Sequence, residues 1–399
     1  MISKISIVPA IVLATFASFP SPAAHALEIR IDYTYDTGNF FNTQLKRDAI
    51  EAVADFYGNM INDTLLRIDP ADFSQASWTA TITHPTTGGT QTISELVVPE
   101  GVIIVYVGAR ELGGSTAGSA GPGGFSASGF TSWFERIRGR GSAAAAISPA
   151  SSRTDFALWG GSISFDTPRT WNFSQSTNAT GTEFISIALH EMGHVLGLGS
   201  ADSWDNLLNA GTFTGSAAAL SFGSAPTADN GHFTGSQTSR LFGSFSATHG
   251  TTRPVLMLPL STDTGSNFDV ATDLDLSALV DIGWELTPPV ELKTTALSPG
   301  AVSFNWQSVS FKNYNLQRST NLLTFPGGSG NISGNGTLKS WTDPAPPSEK
   351  AFYRLAASDV NPVASVASIP QAMRAADSEN TYKSISEDPR TVENCDLAH

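Results

Sequence analysis

Leu189-His190-Glu191-Met192-Gly193-His194-Val195-Leu196-Gly197 is the stretch on which the reading of this chain turns. An apolar run, Phe184-Ile185-Ser186-Ile187-Ala188, leads into it, and together they predict one helix starting near Thr182. Residues four apart lie one turn apart on the same helix face, so His190 and His194 can present two imidazoles to one metal ion. Glu191 follows the first histidine directly, which sets its carboxylate beside the metal rather than on it. Zinc is the natural occupant, because imidazole suits it and a catalytic zinc takes three protein ligands and keeps one position open. Gly197, three residues after His194, lets the chain leave the helix in a left-handed conformation. Two incidental histidines on a buried helix are the alternative, but the motif arises by chance in a chain this long at on the order of a few per thousand.

The pattern His-Glu-x-x-His-x-x-Gly resembles the metzincin clan of zinc endopeptidases. Most metzincins place the third ligand three residues beyond that glycine, where this chain has Ser200, a poor zinc ligand. Asp202, His232 and His249 remain as candidates. His232 lies in Gly231-His232-Phe233, after a polar, Gly- and Ala-rich stretch, and Arg253-Pro254-Val255-Leu256-Met257-Leu258-Pro259 follows it. That order is similar to the leishmanolysin branch, whose third histidine comes after an insertion, is followed by an aromatic residue and precedes a Leu-Met-x-Pro turn. The resemblance covers roughly residues 155 to 286. It implies zinc ligands at His190, His194 and His232, a general base and acid at Glu191, and a Met-turn at Met257. It also implies an α+β fold of the zincin (metzincin) type, with a mixed sheet and an active-site helix, acting on protein or peptide substrates.

Outward from the motif, the first 26 residues carry Lys4, an apolar run from Ile5 to Phe19, and Ala24-His25-Ala26. That is the layout of a signal peptide cleaved near Ala26, for a secreted, extracellular or periplasmic protein. No other stretch is apolar for long enough to cross a bilayer, so no membrane insertion of the mature chain is expected. The single cysteine, Cys395, excludes an intramolecular disulfide. The net charge of -14 argues against nucleic-acid partners. Acidity does allow calcium, and Asp263, Asp269, Asp273 and Asp275 are candidate Ca2+ ligands, although a solvated acidic loop is the commoner fate of such a run.

Glu28 to Tyr33 alternates as a strand, and Asn42 to Ile61 reads as an amphipathic helix capped by Asn42 or Thr43. Val102 to Val107 is a continuous apolar, mostly β-branched run, expected to be a central strand buried on both faces. Gly113 to Gly129 reads as a long glycine-rich surface loop near the cleft. Trp159 to Asp166 alternates just before the helix, where metzincins carry the upper rim of the cleft; an ordinary sheet strand is the alternative. Asp269 to Trp284 predicts a helix closing the catalytic domain, 27–286, and Pro288-Pro289 marks a linker. Short strands from 290 to 357 suggest a small all-β, sandwich-like module, and 358–399 reads as a disordered tail. Two other functional classes stay open: a metalloprotease-fold binding or surface protein with impaired catalysis, and a zinc hydrolase acting on a non-peptide amide or ester. The oligomeric state is not legible in the sequence.

Overall fold

The computed structural model describes residues 27–141, 148–173, 180–240, 252–261, 271–286, 292–298, 301–309, 312–319, 325–335, 337–347, 351–359, 383–390, 392–393 and 396–397. The expected signal peptide, His249, Asp263, Asp269, the Pro288-Pro289 linker and Cys395 lie outside them.

A five-stranded sheet carries the site. Glu28–Asp32 (β1), Val102–Arg110 (β4) and Gly160–Asp166 (β7) run parallel, in the order β1-β4-β7. Gly118–Pro122 (β5) joins β7 antiparallel. β4 is buried along nearly its whole length, as its continuous apolar run requires of a strand with helices on one face and a second sheet on the other. That second sheet pairs Ser77–Thr83 (β2) with Thr90–Ser94 (β3) on one side and Gly124–Gly129 (β6) on the other.

Two apolar cores result. On one face, Gln44–Gly58 (α1) and Phe184–Val195 (α3) pack against the five-stranded sheet. α1 is capped by Thr43 and buries Ala49, Ile50, Val53, Ala54 and Tyr57, a repeat of three and four that makes one apolar stripe. Leu45, in the first turn, falls outside that stripe and is 55% exposed. The Tyr57 hydroxyl donates to the Leu189 carbonyl (3.1 Å), tying α1 to the histidine-bearing helix. On the other face Trp133, from Thr131–Gly139 (α2), and Trp159 each pack edge to face against Trp78.

The structure corrects two expectations about the cleft. β7 is no rim, because β4 and β5 take up both its edges. Gly113 to Gly129 is not one loop, since it contains β5 and β6. Its small residues are there for contact: a Cβ on Gly118 would lie 2.3 Å from Glu191 Oε1, and one on Gly123 2.2 Å from the Trp159 ring. The glycines that suggested a loop are what lets a buried strand lie against the helix and the indole.

Farther along, Ser216–Phe222 (α4) and Asp273–Asp281 (α5) complete the helical side. Lys293–Ser298 (β8), Ala301–Gln307 (β9), Lys312–Ser319 (β10), Leu338–Asp343 (β11) and Phe352–Asp359 (β12) then form two small antiparallel sheets, β8-β9-β11 and one built on β10 and β12. Trp306, Val309 and Tyr314 of this region belong to the same apolar cluster as the larger unit. The expected disordered tail is partly ordered. Lys383–Glu387 (β13) pairs with β6, and Val392–Glu393 (β14) pairs with β5 at the edge of the main sheet. Polar composition hides these strands because backbone hydrogen bonds and ion pairs, with Ile385 packed on the second core, hold them. Among the described residues no helix is long and apolar enough to cross a membrane.

Candidate metal centre

α3 begins two residues later than Thr182, at Phe184, with Glu183 as its cap. The Glu183 carboxylate accepts from the Ser186 amide (2.6 Å) and hydroxyl (2.9 Å), satisfying a donor that the first turn leaves open. Every residue from Ser186 to Val195 is buried, so whatever His190, Glu191 and His194 do is done in a dry setting.

The helix ends as its glycines allow. Gly197 takes φ +102° and Leu198 N–H reaches back to the Gly193 carbonyl (3.0 Å), the wrap-around typical of a glycine-terminated helix. Ser200, at the usual third-ligand position, donates its hydroxyl to the His194 carbonyl (2.6 Å). It therefore closes the helix end instead of binding metal. Asp202 faces away, paired with Arg153 (2.7 Å) and Arg390.

His232 arrives from the loop. Gly199, at φ +68°, lies so close to Gly231 that a Cβ would fall 1.7 Å from the Gly231 carbonyl oxygen. Asp229 accepts from the amides of Gly231 (2.9 Å) and His232 (2.8 Å), which turns the loop. Phe233 is fully buried against Trp204 and Phe213 and donates its amide to the Met257 carbonyl (3.0 Å). The aromatic residue after the histidine is an anchor.

These elements bring His190, His194 and His232 together, with one ligand atom of each within 4.8 Å of the others. His194 Nε2 lies 3.0 Å from His190 Nε2 and 3.2 Å from His232 Nε2. His190 Nδ1 donates to the Leu256 carbonyl (2.7 Å) and His194 Nδ1 to the Leu198 carbonyl (2.8 Å). Both rings thus carry their proton on Nδ1 and a lone pair on Nε2. Two lone pairs 3.0 Å apart repel unless a cation stands between them. The separations also match two zinc–nitrogen bonds of about 2.0–2.1 Å opened to a tetrahedral angle, which span roughly 3.3 Å. The residues fit zinc. Among the described residues this is the one His/Cys/Asp/Glu cluster that could hold a metal ion.

Burial lowers the His190 pKa to about 3, with His232 adding repulsion. Burial also holds His194 well below the usual range, reinforced by His190 and then His232. The neutral, ligand-competent forms are therefore the resting ones. Both carboxylate oxygens of Glu191 are buried without a hydrogen-bond partner among the described residues, and burial alone raises its pKa well above the usual value. A buried, unsatisfied carboxyl costs stability, and its position beside a metal site points to a task in proton transfer.

Met257 sits beneath the helix, where a Cβ on Gly193 would meet its sulfur at 2.7 Å. The sequence reading missed what holds this turn. Asp275, proposed there for calcium, is buried and accepts from the amides of Leu256 (3.0 Å), Met257 (3.0 Å) and Thr272 (2.8 Å) and from the Thr272 hydroxyl (2.7 Å). Four protein donors account for its two oxygens without a cation. The capping box at Thr272 and Asp275 was a signal in the sequence for the helix start, but not for the contact with the Met257 turn.

Residues 138–215 match the profile of the matrixin peptidase family, a metzincin family. The match includes His190, Glu191, His194 and Gly197 and stops before His232. The chain is also similar to matrix metalloproteinase-2 of Drosophila melanogaster, 52% identical over 40 residues. That stretch is 10% of this chain and 5% of that protein. No solved structure matches. The similarity is thus to zinc metallopeptidases of the metzincin type, and the family match spans the histidine-bearing helix α3.

Proposed function

We propose that this chain is a secreted or periplasmic zinc endopeptidase, with His190, His194 and His232 as metal ligands and Glu191 as the proton carrier. The observation that carries the reading is the convergence of three buried imidazoles beside a buried carboxylate that has no hydrogen-bond partner among the described residues. A bound zinc ion would supply Lewis acidity, acidifying water to a pKa of about 7 and polarising a carbonyl. The residues around it do the rest. Glu191 Oε takes the proton of the attacking water and hands it to the leaving amine. The carbonyls of Leu256 and Leu198 fix the tautomer and orientation of two ligands. Met257 supplies an apolar floor. β5, which passes the Glu191 carboxylate at Gly118, offers its edge to an extended peptide by strand addition. The distant third histidine favours a leishmanolysin-like arrangement within the metzincins, and the strands from β8 to β12 read as a sandwich-like accessory module.

Glu191→Gln tests this. The amide keeps the size of the side chain but cannot accept the proton. Zinc content and fold are expected to persist, while casein hydrolysis falls by about 10²–10⁴-fold. Comparable turnover of variant and wild type at equal zinc content would overturn the assignment. Hydrolysis of esters alone would favour the non-peptide reading.

A further inference from the structure

The edge that a peptide would use is already paired. β13 lies antiparallel on β6 from Lys383 opposite Gly129 to Glu387 opposite Phe125. The Arg390 amide donates to the Pro122 carbonyl (3.2 Å), and β14 continues on β5 with Val392 opposite Ala120 and Glu393 opposite Ser119. The register does not shift between the two strands, so the described residues from Lys383 to Glu393 pair first with β6 and then with β5, in the direction of Gly118. Gly118, where β5 touches Glu191, is the next residue of that edge. The Val392 side chain lies over Gly231, beside His232, at 3.3 Å from where a Cβ would stand. Asp396–Leu397 pair parallel with Leu260–Ser261, which begin three residues after Met257.

Charge fixes its position. Glu387 binds Arg138 (2.6 Å) and Arg153 (2.8 Å). Arg390 binds Asp202, Asp205 (3.0 Å) and the Ser200 carbonyl (3.2 Å). Asp202 and Arg153 also pair with each other, so the two tail charges complete a four-membered alternation, Glu387-Arg153-Asp202-Arg390.

We propose that residues 383–390 and 392–393 are a resident occupant of the peptide-binding edge, a segment of the chain that blocks its own cleft until it is displaced. The proposal rests on the peptidase reading for its effect on activity, but not for the docking itself. An extended peptide and this segment need the same backbone groups of β5, so they exclude each other. Tethering gives the segment an effective concentration in the millimolar range. An affinity of about 100 μM for the free segment would then suppress turnover of a small substrate about 10-fold. The surface features also define what a displacing partner must carry: an extended strand with an acidic residue and, three positions later, a basic one.

The test uses the full, zinc-loaded chain with Glu387→Arg and Arg390→Glu together, and separately with Val392→Pro, which removes a ladder donor. Three readouts are compared with wild type: kcat/KM on a short fluorogenic peptide, amide hydrogen exchange across 118–129, and binding of a labelled 383–397 peptide carrying Cys395→Ser to exclude thiolate binding to zinc. Faster exchange, a rise in kcat/KM of about 10-fold or more, and competitive inhibition by the added peptide are expected. Unchanged exchange in both variants overturns the docking. Faster exchange with unchanged kcat/KM in an active enzyme overturns the blockade. If no protein cleaves the substrate, exchange and peptide binding still decide the occupancy, and the failure falls on the peptidase reading.

Discussion

Gly199→Ala separates the role of the backbone from that of the ligands. The glycine sits at φ +68°, and an added Cβ would fall 1.7 Å from the Gly231 carbonyl oxygen. A carbon–oxygen contact settles at about 3.3 Å or more, so the Gly231 carbonyl must retreat by roughly 1.6 Å. His232 is the next residue and moves with it. Metal–ligand bonds tolerate about 0.2 Å, so the third imidazole leaves the site. Zinc affinity is expected to fall by more than about 100-fold, beyond the loss seen when only an outer partner of a ligand is removed. The left-handed backbone adds a stability cost of about 1–2 kcal/mol that has nothing to do with zinc. Gly211→Ala is the control: its φ is +80° and nothing lies within 4 Å of the new Cβ, so it incurs the backbone cost alone. Competition with a chromogenic chelator measures affinity, and urea unfolding of the metal-free proteins measures the backbone cost. Wild-type zinc affinity in Gly199→Ala, with a stability loss no larger than that of Gly211→Ala, would refute the coupling between this contact and the third histidine.

Three further outcomes follow from the same geometry. His232→Ala should leave dialysed protein depleted of zinc while Asp202→Ala stays loaded, since Asp202 is engaged with Arg153 and Arg390; the reverse pattern in metal analysis would exclude His232 as a ligand. Asp275→Asn turns an amide toward donors that now meet a carboxylate, costing about 1–3 kcal/mol for each one orphaned, and should weaken zinc binding about 10–100-fold through the Leu256 carbonyl that orients His190; unchanged chelator competition would show that the turn holds itself. Burial, with repulsion from Glu285 and Asp155, pushes the Asp63 pKa up to about 8, against an ordinary value of 3.8. The folded state therefore holds that proton more tightly than the unfolded chain, and the stability this contributes is full below pH about 3.8 and is lost as pH rises through 8. Asp63→Asn should accordingly raise the melting temperature at pH 9 and lose that advantage by pH 4, and an equal effect at both pH values would count against the shifted carboxyl.

Much of the helical side was legible because its signals are local. Helix α1, the central strand β4 and the closing helix α5 follow from apolar spacing and caps within their own segments. The glycine-rich strands β5 and β6 were not legible, because small residues in a strand look like a loop until the helix and tryptophan they touch are in place. The tail strands were hidden for a related reason: an edge strand held by backbone pairing and four ion-pair partners has no apolar alternation to read.

At the site the division is sharper. Sequence alone determined that His190 and His194 share a helix face, that Glu191 stands next to them, and that the chain must turn at Gly197, since all of this is set by the period of the helix and by glycine's freedom at positive φ. It also left Ser200 without a role. Only the tertiary structure decided that Ser200 closes the helix end, that His232 completes the cluster, that Asp275 holds the Met257 turn, and that the tail strand β14 covers the edge of β5. Those are meetings of segments distant in the chain, fixed by close backbone approach at Gly199 and Gly231 and by buried donors that had to find an acceptor, and no local pattern encodes which segments will meet.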